Sequence, residues 1–253
     1  MEHLNIGMLL FLIASGFLAS FIDSVVGGGG LISIPALMMT GLPPTVVLGT
    51  NKLAGTISSL TSTITYIRSG KINFRLVKYL LPLSFAGSIL GVYTVKQISS
   101  DFLRPLIIIF LILVTFYSLL KKEWGRESKF EQFTVKTGIF IAMASFAIGF
   151  YDGFFGGGTG SFLMFSFLLL GFDFIQAAAK ARLLNFTSNI AALIFFICLH
   201  DVNFVYGIPM GTAMLLGALV GSNVALRKGA SYVKVLFVSV TILLIGKQII
   251  DYL

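Results

Sequence analysis

Nine apolar stretches dominate this chain, at about 4–26, 30–48, 76–95, 102–120, 137–151, 160–172, 183–199, 205–226 and 233–250. A helix that crosses a bilayer needs about 20 consecutive, mainly apolar residues, and several of the stretches have that length. Composition decides what surrounds them. Residues of the AVILMFWYC set make up 57% of the chain and charged residues 11%, against roughly 25% charged in a soluble domain. So few charges cannot wrap this much apolar side chain in a wet surface. The sequence therefore predicts an all-α polytopic membrane protein with eight or more membrane segments.

The interruptions are as informative as the runs. Gly27-Gly28-Gly29-Gly30 and Gly156-Gly157-Gly158 break helices. The apolar pieces that follow, Gly30 to Thr40 and Gly160 to Gly171, are too short to span. Pro43-Pro44 then marks a new helix start, predicted to run to about Arg68. That helix carries Thr50, Asn51, Lys52, Thr56, Ser58, Ser59, Thr61, Ser62, Thr63 and Thr65, so it must face protein or water rather than lipid. The first twenty residues have the outline of a secretory signal ending in Leu18-Ala19-Ser20. They carry Glu2 and no Lys or Arg, and they have a counterpart later in the chain, so they are expected to belong to the fold.

The counterpart emerges when the chain is slid along itself. At an offset of 129, Asp23 meets Asp152 and Gly27-Gly28-Gly29 meets Gly156-Gly157-Gly158. One residue of slip later the offset is 130. Gly41 then meets Gly171, Lys52 meets Arg182, Ser58 meets Ser188, Asn73-Phe74 meets Asn203-Phe204, Gly87 and Gly91 meet Gly217 and Gly221, and Arg104 meets Lys234. The expected organisation is a first repeat at 1–120, a cytoplasmic linker at 121–136 and a second repeat at 137–253. Internal duplication is common in secondary transporters.

Charge sets the orientation. Cytoplasmic loops carry the Lys and Arg excess. Loop 68–78 has Arg68, Lys71, Arg75 and Lys78 with no acid, whereas its counterpart 198–208 has only His200 and Asp201. Placing loops 68–78, 121–136 and 227–234 inside makes the repeats inverted. Each is then a glycine-broken helical hairpin plus three transmembrane helices, with both termini outside. Residues 137–172 must form a re-entrant hairpin or two short crossings. Lys96 and Arg104 sit against this scheme, because loop 96–104 should be external. Eight helices, with each hairpin as one crossing, is the rival topology.

Two groups of residues could carry chemistry. Lys52 lies about 12 Å along its helix at 1.5 Å per residue, close to the middle of a roughly 30 Å hydrocarbon core. Arg182 is equally deep on a helix starting near Phe174. Buried cations face a pathway or a partner. Thr50, Asn51, Ser58 and Ser59 in one half, and Asn185, Ser188 and Asn189 in the other, are polar groups that suit an anion. Arg182, Asn185 and Asn189 share one helix face. Three readings stay open: the cations contact a small anionic substrate, each makes a structural ion pair with Asp23 or Asp152, or they snorkel to the interface. Lys180 is shallower and is expected to snorkel to the interface.

The glycine runs are the second group. Gly28, Gly29, Gly157 and Gly158 can leave free N–H groups at the start of a short helix, where the dipole favours an anion, or they can simply let a hairpin bend and pack. Asp23 and Asp152 could cap the bend, pair with a cation or carry a coupling proton. The pairs Gly87/Gly91 and Gly217/Gly221 suit close helix packing. Tyr79, Tyr93, Tyr117 and Tyr206 suit interface anchoring. One cysteine, Cys198, and two distant histidines, His3 and His200, argue against a metal site. Gly156 to Ser161 lacks the Gly-Lys-Ser/Thr ending of a nucleotide loop. No metal, cofactor, nucleic-acid partner or enzymatic activity is expected; the bilayer is the expected partner, and a homodimer is compatible.

The acid-plus-glycine motif in each half, with Gly49-Thr50-Asn51-Lys52 and Ala181-Arg182-Leu183-Leu184-Asn185 on the following helices, resembles the TauE/SafE family over nearly the whole chain. The resemblance implies a prokaryotic plasma-membrane protein exporting sulfite or organosulfonates. Ala179-Lys180-Ala181-Arg182 replaces Gly49-Thr50-Asn51-Lys52 in the second half, so the two half-sites differ chemically. The expectation is a secondary transporter of small anions working by alternating access. The alternatives are a passive anion channel and a carrier of another small organic anion.

Overall fold

The computed structural model describes residues 6–72, 74–99 and 134–250. The regular elements among them are all helices: α1 (Ile6–Val26), α2 (Gly30–Met38), α3 (Pro44–Arg68), α4 (Phe74–Val77), α5 (Leu81–Lys96), α6 (Val135–Phe154), α7 (Thr159–Leu169), α8 (Phe174–Cys198) and α9 (Phe204–Ile250). The apolar stretch 102–120, nearly all of linker 121–136, Arg104 and Tyr117 lie outside the described residues. Helix α9 kinks at Gly229, whose φ is 74° and ψ −172°.

Among the described residues, four helices are long and apolar enough to cross a membrane: α1, α6, α8 and the Phe204–Gly229 part of α9. Their outward side chains, such as Leu10, Met143, Ile194 and Leu216, are exposed, as a lipid-facing surface requires. The apolar stretch 76–95 departs from expectation. Pro82 in the first turn starts a fresh helix, so the stretch divides into α4 and the 16-residue α5, about 24 Å long.

The glycine runs do break the chain. Gly27 and Gly156 have φ of 84° and 88°, and they end α1 and α6. The helices that follow, α2 and α7, have 9 and 11 residues, about 13 and 16 Å. The two breaks meet: Ser161 donates through its hydroxyl to the Val26 carbonyl at 3.2 Å.

Helices α3 and α8 are 25 residues each and begin and end 130 positions apart. Gly49 packs on Phe196 and Asp201, and Gly55 on Asn189. Rising numbers on one helix meet falling numbers on the other, so they run antiparallel. Polar α3 is accommodated in two ways. Most of its polar side chains are buried against protein. Several hydroxyls also bond back to their own helix: Thr56 to the Lys52 carbonyl at 2.7 Å, Ser59 to Gly55 at 2.7 Å and Thr61 to Ile57 at 2.7 Å.

The small-residue pairs pack as expected. Gly87 and Gly91 of α5 lie against Phe146 and Phe150 of α6, and Gly217 and Gly221 of α9 lie against Phe17 and Phe21 of α1. Each pair packs a helix from one half of the chain onto the hairpin of the other.

The Asp201 corner fixes one end of the bundle. Lys96 ion-pairs with Asp201, and Thr45 donates to the same carboxylate at 3.4 Å. The end of α5, the start of α3 and the α8–α9 turn therefore share one end. Residues 69–72 follow the other end of α3, about 37 Å away.

Candidate functional site

Besides Lys96–Asp201, two more deeply buried salt bridges among the described residues cross between the halves. Lys52 Nζ on α3 lies 2.8 Å from Asp152 Oδ1 on α6. Arg182 on α8 pairs through Nη1 with Asp23 Oδ2 on α1. Both cations are 1% exposed. Of the three readings open from the sequence, ion pairing is the arrangement seen, and each cation takes the acid of the other half. Buried charges need this: an ion in a low-dielectric interior costs several kcal/mol unless paired.

The cations also shape the glycine breaks. A side chain on Gly156 would stand 2.6 Å from Lys52 Nζ, and one on Gly160 would collide with the Arg182 guanidinium. Gly29 N–H donates to Asp23 Oδ1 at 3.0 Å. Asp23 therefore both caps the start of α2 and holds Arg182.

The antiparallel register separates the two cations. With Gly55 beside Asn189, Arg182 lies level with residue 62, about 15 Å along the axis from Lys52. Their attachment points are therefore offset along the two helices rather than level with each other.

A narrow, open-mouthed cavity lies between the pairs. Its polar walls come from both halves. Ser20, Asp23, Ser33, Asn51 and Ser58 face Asp152, Asn185 and Asn189 across it, with Gly29, Gly30, Gly55, Gly156 and Gly160 between. Ser33 donates to Asn51 Oδ1 at 2.6 Å, Ser20 and Ser58 share a 2.6 Å bond, and Asn189 donates to the Asn185 carbonyl at 2.7 Å. Both acids line the space; Lys52 and Arg182 do not.

Comparison with known proteins bears on what such a cavity serves. The family model described as "Sulfite exporter TauE/SafE" matches residues 12–247. The "Probable membrane transporter protein ORF9" of Sinorhizobium sp is 39% identical over 99% of this chain and 96% of its own length. The chain belongs to the TauE/SafE family. A "Probable membrane transporter protein" of Haemophilus influenzae is 34% identical over 98% of this chain and 97% of its own length. "Probable membrane transporter protein YfcA" of Escherichia coli is 38% identical, over 98% and 91%. The chain is a multi-pass membrane protein of a transporter family.

Within this TauE/SafE protein, the residues singled out in the sequence divide. Asn51, Ser58, Asn185, Asn189, Gly29, Asp23 and Asp152 line the cavity. Thr50, Ser59, Ser188, Gly28, Gly157 and Gly158 do not. The Thr50 hydroxyl instead accepts from Asn203 N–H at 2.9 Å, bracing the α8–α9 turn. Ser59 and Ser188 donate to carbonyls of their own helices. Lys180 corrects the snorkelling expectation. It is 2% exposed, with its ammonium 4.1 Å from the centre of the Phe172 ring and 3.4 Å from Gln176 Oε1. The α7–α8 turn folds over it, so the protein supplies what the interface would have. Sequence reasoning missed Ser20, Ser33 and Gly55. Ser20 lies one turn before Asp23, on its face, a spacing that could have flagged it.

Proposed function

We propose that this protein is a secondary transporter that carries sulfite or an organosulfonate across the prokaryotic cytoplasmic membrane, out of the cell, by alternating access. The observation that carries the reading is the cavity of amides and hydroxyls bracketed by two buried cation–carboxylate pairs. A sulfonate or sulfite group presents several oxygen acceptors around one negative charge. Asn51, Asn185 and Asn189 offer amide donors, and Ser20, Ser33 and Ser58 offer hydroxyls that can turn to an oxyanion. Lys52 and Arg182 supply the positive charge, shared with Asp152 and Asp23 until substrate arrives. The description of the family as sulfite exporters supports both the substrate class and the direction.

In this reading the halves are inverted repeats, each with a re-entrant hairpin and three crossings, and both termini are external. The equal, antiparallel α3 and α8 support it. So does the Lys96–Asp201 bridge, because Lys96 brings its own acid and adds no net positive charge to an external loop. The acids and glycine breaks lie where the repeats touch, so rocking one unit against the other would expose the cavity to either side.

Proteoliposome flux of sulfite and a sulfonate series tests the assignment. Lys52→Ala and Arg182→Ala are each expected to lower apparent affinity at least about tenfold, the equivalent of 1.4 kcal/mol. Wild-type affinity in both variants overturns the site. Large unitary currents without saturation would identify a channel instead.

A further inference from the structure

The two ion pairs are related by the chain's duplication but are not equivalent. Asp23 has both oxygens engaged, Oδ1 by Gly29 N–H and Oδ2 by Arg182. Asp152 has Oδ1 on Lys52 at 2.8 Å, while Oδ2 is buried and has no hydrogen-bond partner. Asp152 is 1% exposed and lines the cavity. A buried carboxylate oxygen whose lone pairs accept no hydrogen bond costs free energy, and a proton is the smallest ligand that removes the cost.

We propose, on the basis of the anion-transport reading, that Asp152 Oδ2 is the proton-binding site that couples transport, one proton moving with each anion. The surroundings fit. Lys52 faces Asp152 from α3. From α1 and α8 the charged neighbours are Asp23 and Arg182, which neutralise each other. Tyr151 on α6 turns its hydroxyl to the Gly157 carbonyl at 2.6 Å. On α5, Ser88 packs at Gly153 and brings no charge.

The charge balance follows. Unloaded, the Lys52 ammonium and Asp152 carboxylate sum to zero. A proton arriving from the bulk solution through the mouth of the cavity adds to Oδ2, Asp152 becomes a neutral carboxylic acid, and Lys52 loses its counter-ion. A monoanion then takes the place of the carboxylate, and the site again sums to zero. An anion without the proton would leave a surplus buried negative charge. A proton without the anion would leave a surplus positive one. Both are disfavoured, which ties the two movements together. The direction of net flux is set by the product of anion and proton concentrations on the two sides. Export proceeds when the outward anion gradient exceeds the inward proton gradient.

Two measurements test this. The first needs no transported substrate: pH-induced infrared difference spectra of the purified full-length protein. Beyond the bands of the chain's other acids, a further protonated-carboxyl C=O component is expected in wild type and in Asp23→Asn and absent in Asp152→Asn. Its persistence in Asp152→Asn, or its absence from wild type, overturns the proton site. The second is methanesulfonate flux in proteoliposomes, chosen because this strong-acid monoanion does not itself titrate. Wild type is expected to accumulate it about tenfold per unit of imposed pH gradient and to ignore an imposed potential. Asp152→Asn is expected to exchange the anion but accumulate none. Accumulation driven by potential alone, or pH-driven accumulation by Asp152→Asn, overturns the coupling. No flux of any anion in wild type, with the infrared band present, overturns the anion-transport reading and leaves the proton site standing.

Discussion

Gly160 lacks a side chain because Arg182 occupies the space one would need. Gly160→Ala should push the guanidinium off Asp23 and lower stability by about 3 kcal/mol, the lower end of the cost of breaking a buried pair. Gly138→Ala is the control, since nothing lies within 4 Å of a side chain there. Thermal unfolding in detergent checks both, and equal midpoints would show that the guanidinium simply moves aside. At this scale the sequence exposes the ingredients but not their pairing. Charge at depth in an apolar chain is costly enough to mark Asp23, Lys52, Asp152 and Arg182 as important without coordinates. Which acid meets which cation depends on how the halves cross, and no spacing along one helix encodes that. The same holds for Thr50, whose hydroxyl serves a turn 153 residues away.

Helix ends were readable where residue chemistry is local. Pro44 opens α3, and Gly70, at φ 70°, closes it with Lys71 N–H bonded to the Tyr66 carbonyl at 3.2 Å. The same closure follows α8, where Asp201 N–H bonds to the Phe196 carbonyl at 2.9 Å, but the left-handed position is His200, at φ 59°. A side chain there costs about 1–2 kcal/mol. His200→Gly should therefore stabilise the protein by about 1 kcal/mol without altering transport, as a raised unfolding midpoint in detergent. An unchanged or lowered midpoint would mean that the imidazole contributes more than the backbone loses. The division of 76–95 into α4 and α5 was the less readable case. Hydropathy averages over Pro82, whereas the backbone cannot.

For the whole molecule, the distribution of charge becomes geometry. Lys96 and Asp201 close one end of the bundle, and Arg68 and Lys71 lie at the far end of α3. Cysteines placed at 202 and at 71, in a Cys198→Ser background because Cys198 is itself exposed, should label from opposite sides of the membrane. Labelling from one side would refute the inverted arrangement. The crosswise pairing also reaches back into synthesis. Asp23 emerges from the ribosome 159 residues ahead of Arg182, roughly 8–30 s at bacterial and eukaryotic elongation rates. Lys52 waits for Asp152 across about a hundred residues of further elongation. The first half must enter the membrane with two charges whose permanent partners have not yet been translated. A chain stopped at residue 120 should be cleared by membrane proteases, and supplying residues 134–253 from a second message should rescue its steady-state level. Each half is in that sense the assembly factor of the other.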